Sequence, residues 1–207
     1  MPFRGSQKTA TTTSTPKWFG FQEVALTDVV DKSKDYDNLE MFLSISFKNG
    51  NSLYPIEYAL LGSFDRDESG DIDGDNSLLK RILYFTDALG WKGGVNKKGA
   101  WVDEEDKLIE DISGYLNLNH TEANYDVTTS SFDYYIFTYN KLNKKANKGY
   151  PTVCPKIVKN TPAGRKDLES YIQYMKANKF IVEHDSEDTK EGVSTASTTV
   201  SGTQTQF

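Results

Sequence analysis

Hydrophobic and polar residues alternate cleanly from Asn38 to Lys48. Met41, Leu43, Ile45 and Phe47 fall on one face, and Glu40, Phe42, Ser44 and Ser46 on the other. A period of two predicts a strand with one face in a core and one face open, here carrying an aromatic residue. Trp18 to Val30 shows a looser version of the pattern, with Phe19, Phe21, Val24, Leu26, Val29 and Val30. Asn49-Gly50-Asn51 is a hairpin turn signal, and the aromatic, β-branched run Leu53 to Leu61 reads as the returning strand.

The period then changes. Leu78, Ile82, Phe85 and Leu89 recur at helical spacing, which predicts a helix over Ser77 to Leu89, capped by Asp75, Asn76 or Ser77 and ended by Gly90. A second helix is expected from Asp103 to about Leu116, with Asp103 as N-cap and Leu108, Ile109, Ile112, Tyr115 and Leu116 along one side. Between them Gly90 to Gly99 reads as a flexible basic loop bearing Trp91, Lys97 and Lys98.

Strands return with the densely aromatic Phe132 to Tyr139. A lysine-rich loop follows from Asn140 to Gly149, then a closing strand from Tyr150 to Val158. A last helix begins with Thr161 as N-cap and Pro162 at its first position, and carries Leu168, Tyr171, Ile172 and Met175 on one stripe.

Five strands with helices between the third and fourth is the order of an OB-fold barrel. The expected fold is therefore mainly β with added helices (α+β): a five-stranded OB-fold-like barrel with a helical insertion at 77–117 and a C-terminal helix. Residues 1–16 read as a flexible arm, 17–160 as the barrel core, 161–182 as the terminal helix and 183–207 as a disordered acidic tail. A doubly wound fold is disfavoured, because strands and helices do not alternate and no phosphate-binding glycine pattern follows a strand.

Asp65 to Asn76 (Asp-Arg-Asp-Glu-Ser-Gly-Asp-Ile-Asp-Gly-Asp-Asn) matches most of a calcium-binding loop. Asp65, Asp67 and Ser69 take positions 1, 3 and 5, Gly70 the sharp turn, Asp71 position 7 and Asp73 position 9. Position 12 is Asn76 where a bidentate Glu belongs, and the preceding segment reads as a strand. A calcium ion outside an EF-hand, held by Asp65, Asp67, Ser69, Asp71 and Asp73, stands beside a solvated acidic loop as the other reading.

Charge is divided unevenly. Residues 17–132 hold 11 basic and 22 acidic side chains, whereas 133–182 hold 10 basic and 3 acidic. The later block has the sign that a nucleic-acid surface requires. The single cysteine, Cys154, excludes an internal disulfide and suits a reducing compartment; it reads as a small core residue. No apolar run approaches the ~20 residues of a membrane span. The N-terminus has no secretory pattern, so host cytoplasm is the expected compartment.

Catalysis finds little footing, with two histidines, no nucleophile elbow and no phosphate-binding loop. The expectation is a protein that is not an enzyme and requires no cofactor. Binding is better supplied. Tyr135, Phe137 and Tyr139 share one face, followed by Lys141, Lys144, Lys145 and Lys148. Rings at period two beside clustered lysines suit base stacking with phosphate neutralisation; the other reading, favoured for any single ring, is a cross-strand core beside a solvated loop. Trp91, Lys97 and Lys98 join the candidate nucleic-acid residues.

The run Leu39-Glu40-Met41-Phe42-Leu43-Ser44-Ile45-Ser46-Phe47, the hairpin after it, the helix ending Ala88-Leu89-Gly90-Trp91 and the late strand Tyr150 to Val158 resemble a bacteriophage single-stranded DNA-binding protein over roughly residues 17–160. The resemblance implies an OB-fold core and single-stranded DNA as partner, in phage DNA replication or recombination. The tail is similar to the flexible acidic tails by which such proteins dock replication proteins, with Phe207 as terminal aromatic anchor. It departs by ending in Thr203-Gln204-Thr205-Gln206 rather than in acids. Two rival readings rest on the carboxylates of residues 65–75: a calcium-binding structural or interaction module, and a metal-dependent nuclease.

Overall fold

The computed structural model describes residues 19–50, 54–143 and 148–181; the side chains at 140, 142, 143 and 148–150 also lie outside the description. β1 (Gly20–Asp31) serves two neighbours in turn. Its first half, Gly20 to Val24, pairs with β6 (Tyr134–Asn143), and its second half, Ala25 to Asp31, pairs with β2 (Met41–Lys48). The register shifts between Leu26 and Asp28, and the extra residue, Thr27, lets the strand turn from one neighbour to the other.

β2 pairs antiparallel with β3 (Ile56–Gly62), and β6 pairs antiparallel with β7 (Lys148–Val153), which returns beside β3. The path β3-β2-β1-β6-β7 is a nearly closed antiparallel five-stranded barrel of the OB type. The expected closing strand is broken: β7 ends at Val153, and a separate β8 (Val158–Lys159) pairs with β6 at Tyr134 and Tyr135. Met41, Leu43, Ile45 and Phe47 all point into the barrel, as their alternation requires.

α1 (Ser77–Leu89) packs beneath β3, with the side chain of Asn76 accepting from Leu79 N and Gly90 closing the helix at φ 69°. α2 (Ile112–His120) starts eight residues later than expected, with Asp111 in place of Asp103 as N-cap. Its acidic lead-in from Asp103 is not helical. That stretch folds as a turn, and Val102 bridges to Leu108 across it. The expected flexible loop after α1 holds a small hairpin of β4 (Gly94–Val95) and β5 (Trp101–Val102).

α3 (Pro162–Ala177), capped by Thr161, lies on the outer face of β6 and seals a second core there. Leu168 and Ile172 are fully buried in it, and each such side chain stabilises by roughly 1.5–3 kcal/mol. β6 is consequently buried on both sides: Tyr134 and Ile136 face the barrel, and Tyr135, Phe137 and Tyr139 face α3. That is why this strand is aromatic or apolar at five of its first six positions, Tyr134 to Tyr139.

Side chains from the helices satisfy the barrel's exposed edges. Asn117 of α2 accepts from Val29 N and donates to Val29 O, both at 2.8 Å, where β6 has already parted from β1. Arg81 of α1 donates to the carbonyls of Ala59 and Leu61 on the edge of β3.

Candidate nucleic-acid interface

β3 and β7 are the two ends of the hydrogen-bonded path, so the barrel keeps a seam between them. Two adjoining cavities occupy it. One, of about 320 Å³, runs under Tyr54 and Pro55 to Thr138, Pro151 and Thr152. The other, of about 360 Å³, lies between Ala59, Arg81, Tyr139, Lys141 and Pro155. They share Glu57, Pro151, Thr152 and Val153, so they form one groove. Its Tyr54 end is mainly apolar and its Lys141 end mixed, and its lining carries an aromatic ring, cations and the Glu57 carboxylate. Tyr54 is 70% exposed, and Lys141 is exposed on the opposite wall.

Arg81 is fixed in that groove. Besides its two carbonyl bonds it donates to the Tyr58 hydroxyl, and its guanidinium lies 5.6 Å from the Tyr58 ring centre. Burial pushes the Tyr58 phenol above its ordinary value, so the ring stays neutral and its hydroxyl spans the seam to Pro155 O at 3.4 Å. Thr152 Oγ1 is buried along the groove without a hydrogen-bond partner among the described residues.

Beside the seam is the outward face of β2 and β3. Phe42 pairs across to Leu61, Ser44 to Ala59 and Ser46 to Glu57, and both serines donate to the Glu57 carboxylate. Above it, Tyr36 packs 5.2 Å from Phe42, and the Lys32 ammonium lies 5.8 Å over the same ring. Phe42 is the open-face aromatic that the alternation predicts. Tyr36, Lys32, Tyr54 and Arg81 escape sequence reasoning, because their roles depend on where the barrel ends meet. Tyr54 alone left a signal: an aromatic residue before Pro55 near the start of the expected returning run, which the structure begins only at Ile56.

The residues expected to bind nucleic acid are dispersed. Tyr135, Phe137 and Tyr139 do not form an open platform; α3 covers them, and Phe137 is only 2% exposed. Arg165 and Lys176 of α3 lie 5.2 Å and 4.9 Å over the Tyr135 and Phe137 rings, and Phe21 of β1 stacks on Tyr135 at 5.5 Å. Among the described residues of that set, only Tyr139 and Lys141 reach the seam groove. Lys144, Lys145 and Phe207 lie outside the described residues, as does the side chain of Lys148.

Trp91 is buried, not presented on a loop. Its indole packs against Trp101, Tyr115 and His120 at 6.0, 5.4 and 6.0 Å. His120 thus belongs to an aromatic cluster at the end of α2, and burial lowers its pKa. Lys97 and Lys98 lie on the turn between β4 and β5, away from the seam. Lys98 is bound to Asp71 at 2.6 Å and to Ser69 O.

The acidic loop is explained by turn chemistry. Asp67 Oδ1 accepts from the backbone N–H of Ser69 and of Asp71, with Gly70 between them at φ 77°. Asn96 does the same for Lys98 and Ala100, with Gly99 at φ 88°, and Asp103 for Glu105 and Lys107, with Asp106 at φ 61°. In all three the fourth residue's N–H returns to the first residue's carbonyl. One turn, built three times, demands Asx first and a left-handed residue fourth.

The five expected calcium ligands are each engaged in a hydrogen bond or ion pair. Hydrogen bonds from Ser69 and from backbone hold the Asp67 carboxyl below its usual range. Asp71 meets Lys98, and Asp65 accepts from the Asn76 amide at 3.0 Å. Among the described residues no group of three or more His, Cys, Asp or Glu is placed to hold a metal ion. Among them, too, no helix is long and apolar enough to cross a membrane.

The fold and groove together define an α+β protein on an OB-type barrel with an open seam. No family model, no curated protein and no solved structure matches the chain.

Proposed function

We propose that this protein binds single-stranded DNA along the β3–β7 seam and the adjoining outward face of β2–β3, without catalysis. The observation that carries the reading is the seam itself: a groove with an exposed Tyr54 at its mainly apolar end and an exposed Lys141 on its wall. A strand needs a ring to stack on and cations for its phosphates, and stacking contributes about 1–3 kcal/mol per base. In OB barrels the face of strands 2 and 3 is the one that takes oligonucleotides. Here that face carries Phe42 with Tyr36 and Lys32 beside it.

The setting in phage DNA replication or recombination, in host cytoplasm and with replication proteins docking on Phe207, rests on the sequence resemblance alone. The test is fluorescence anisotropy with oligo(dT) and with duplex of equal length, with and without chelator. Preference for the single strand, unchanged by chelator and weakened by Tyr54→Ala, supports the reading. Equal affinity of Tyr54→Ala and the parent, with both folded, overturns the placement. Cleavage of the oligonucleotide that stops on chelation would replace binding with a nuclease.

A further inference from the structure

A third cavity, of about 580 Å³, lies between β1, β2 and the loop 123–125. It shares Pro55 with the seam groove, so the two depressions adjoin at Pro55, the residue after the exposed Tyr54. Lys48 and Tyr125 line it, with the Lys48 ammonium 5.6 Å from the ring centre. The Tyr125 ring is held edge-on by Phe132 at 6.4 Å, and its hydroxyl is buried without a hydrogen-bond partner among the described residues. Among the described residues Lys48 stands in no ion pair, and neither does Asp28, which lines the same cavity.

We propose that a strand bound at the seam continues past Tyr54 into this cavity, making it a second nucleotide subsite. The proposal rests on the single-strand reading above. Lys48 meets a phosphate at the mouth, as a cation without a carboxylate partner can. The base turns inward, because the Asp28 carboxylate repels phosphate but accepts from base N–H groups, the N3–H of thymine included. Ser46 and Asn124, also in the lining, supply further polar contacts to base edges. The loop 123–125 then acts as a wall of the binding track, anchored by the rings of Tyr125 and Phe132.

A graded series of oligo(dT) lengths separates the two subsites. Affinity is measured for the full chain, for Lys48→Met and for Lys141→Ala, each with a melting curve as fold control. Methionine keeps the stem over Tyr125 and removes only the charge. Lys48→Met should match the parent on the shortest oligonucleotides that bind. On longer ones it should lose roughly tenfold, with a log–log salt slope shallower by about 0.7. Lys141→Ala should weaken binding at every length. If Lys48→Met follows the parent at all lengths while Lys141→Ala does not, the second subsite is overturned and the seam stands. A full chain that binds no oligonucleotide overturns both.

Discussion

The side-chain amide of Asn117 makes both hydrogen bonds to Val29 that a neighbouring strand would make, each 2.8 Å long. Val29 is fully buried, so neither its N–H nor its C=O can turn to water instead. Asn117→Ala should therefore cost roughly 2 kcal/mol or more, well beyond a surface substitution. Urea denaturation measures it. A loss within about 0.5 kcal/mol would mean that water replaces the amide.

The turns allow a contrast of opposite sign. Asp106 holds φ 61°, where a Cβ is disfavoured, so Asp106→Gly should stabilise by up to about 1 kcal/mol. Gly99→Ala should destabilise by more than that. Its φ is 88°, and a Cβ there would meet the Phe64 ring at 3.1 Å and Arg66 at 3.3 Å. Because Asp67 and Asp71 serve the turn and Lys98, calcium at several millimolar should leave Tm unchanged. A rise in Tm would show that the carboxylates can regroup around an ion.

Much of the barrel was legible because its strands bury one face each. The Met41-to-Phe47 alternation gives β2 and its register, and Thr161-Pro162 and Gly90 mark helix ends by backbone chemistry alone. Asp103 misled because one residue type caps a helix and starts a tight turn, and only the partner N–H two residues on distinguishes them. Tyr135, Phe137 and Tyr139 misled for a different reason. A period of two shows that a face is apolar but not what covers it, and α3, thirty residues downstream, is the cover. The seam was illegible, since it is formed by the approach of β3 to β7.

That second core can be tested directly. Phe137→Ala removes a ring buried among Tyr139, Cys154 and α3, and should cost about 3–5 kcal/mol of stability. Phe137→Leu, which keeps most of the apolar volume, should restore much of the fold and bind oligo(dT) like the parent. Lost binding in a well-folded Phe137→Leu would bring the ring back as a contact to DNA.

Alkaline pH reports on the same core. Burial raises the Cys154 thiol from an ordinary 9.0 to about 11, so the folded state holds this proton more tightly than the unfolded state does. The resulting stability is complete below pH 9 and is lost as pH climbs to about 11. Tyr171, on α3, and Tyr134, facing the barrel, are pushed from 10.0 to about 12 and extend the decline upward. Cys154→Ala should flatten the lower part of that profile, and the native thiol should resist a thiol reagent at pH 8 until denaturant is added. Rapid modification of the folded protein would place Cys154 at the surface.

Salt dependence tests which lysines meet phosphate. Each phosphate contact on a single strand contributes about −0.7 to the log–log slope of affinity against salt. Lys141 is exposed on the groove wall and stands in no ion pair among the described residues, so Lys141→Ala should flatten the slope by about that amount. Lys98 was an equal candidate from sequence, but its ammonium is held by Asp71 and Ser69 O on a turn away from the seam. Lys98→Ala should leave both slope and affinity near those of the parent. The two variants carry the same change in net charge, so a general loss of positive field would move them together. Equal flattening by both would argue for diffuse attraction over the whole basic surface, whereas a Lys141 effect alone ties the phosphates to the groove.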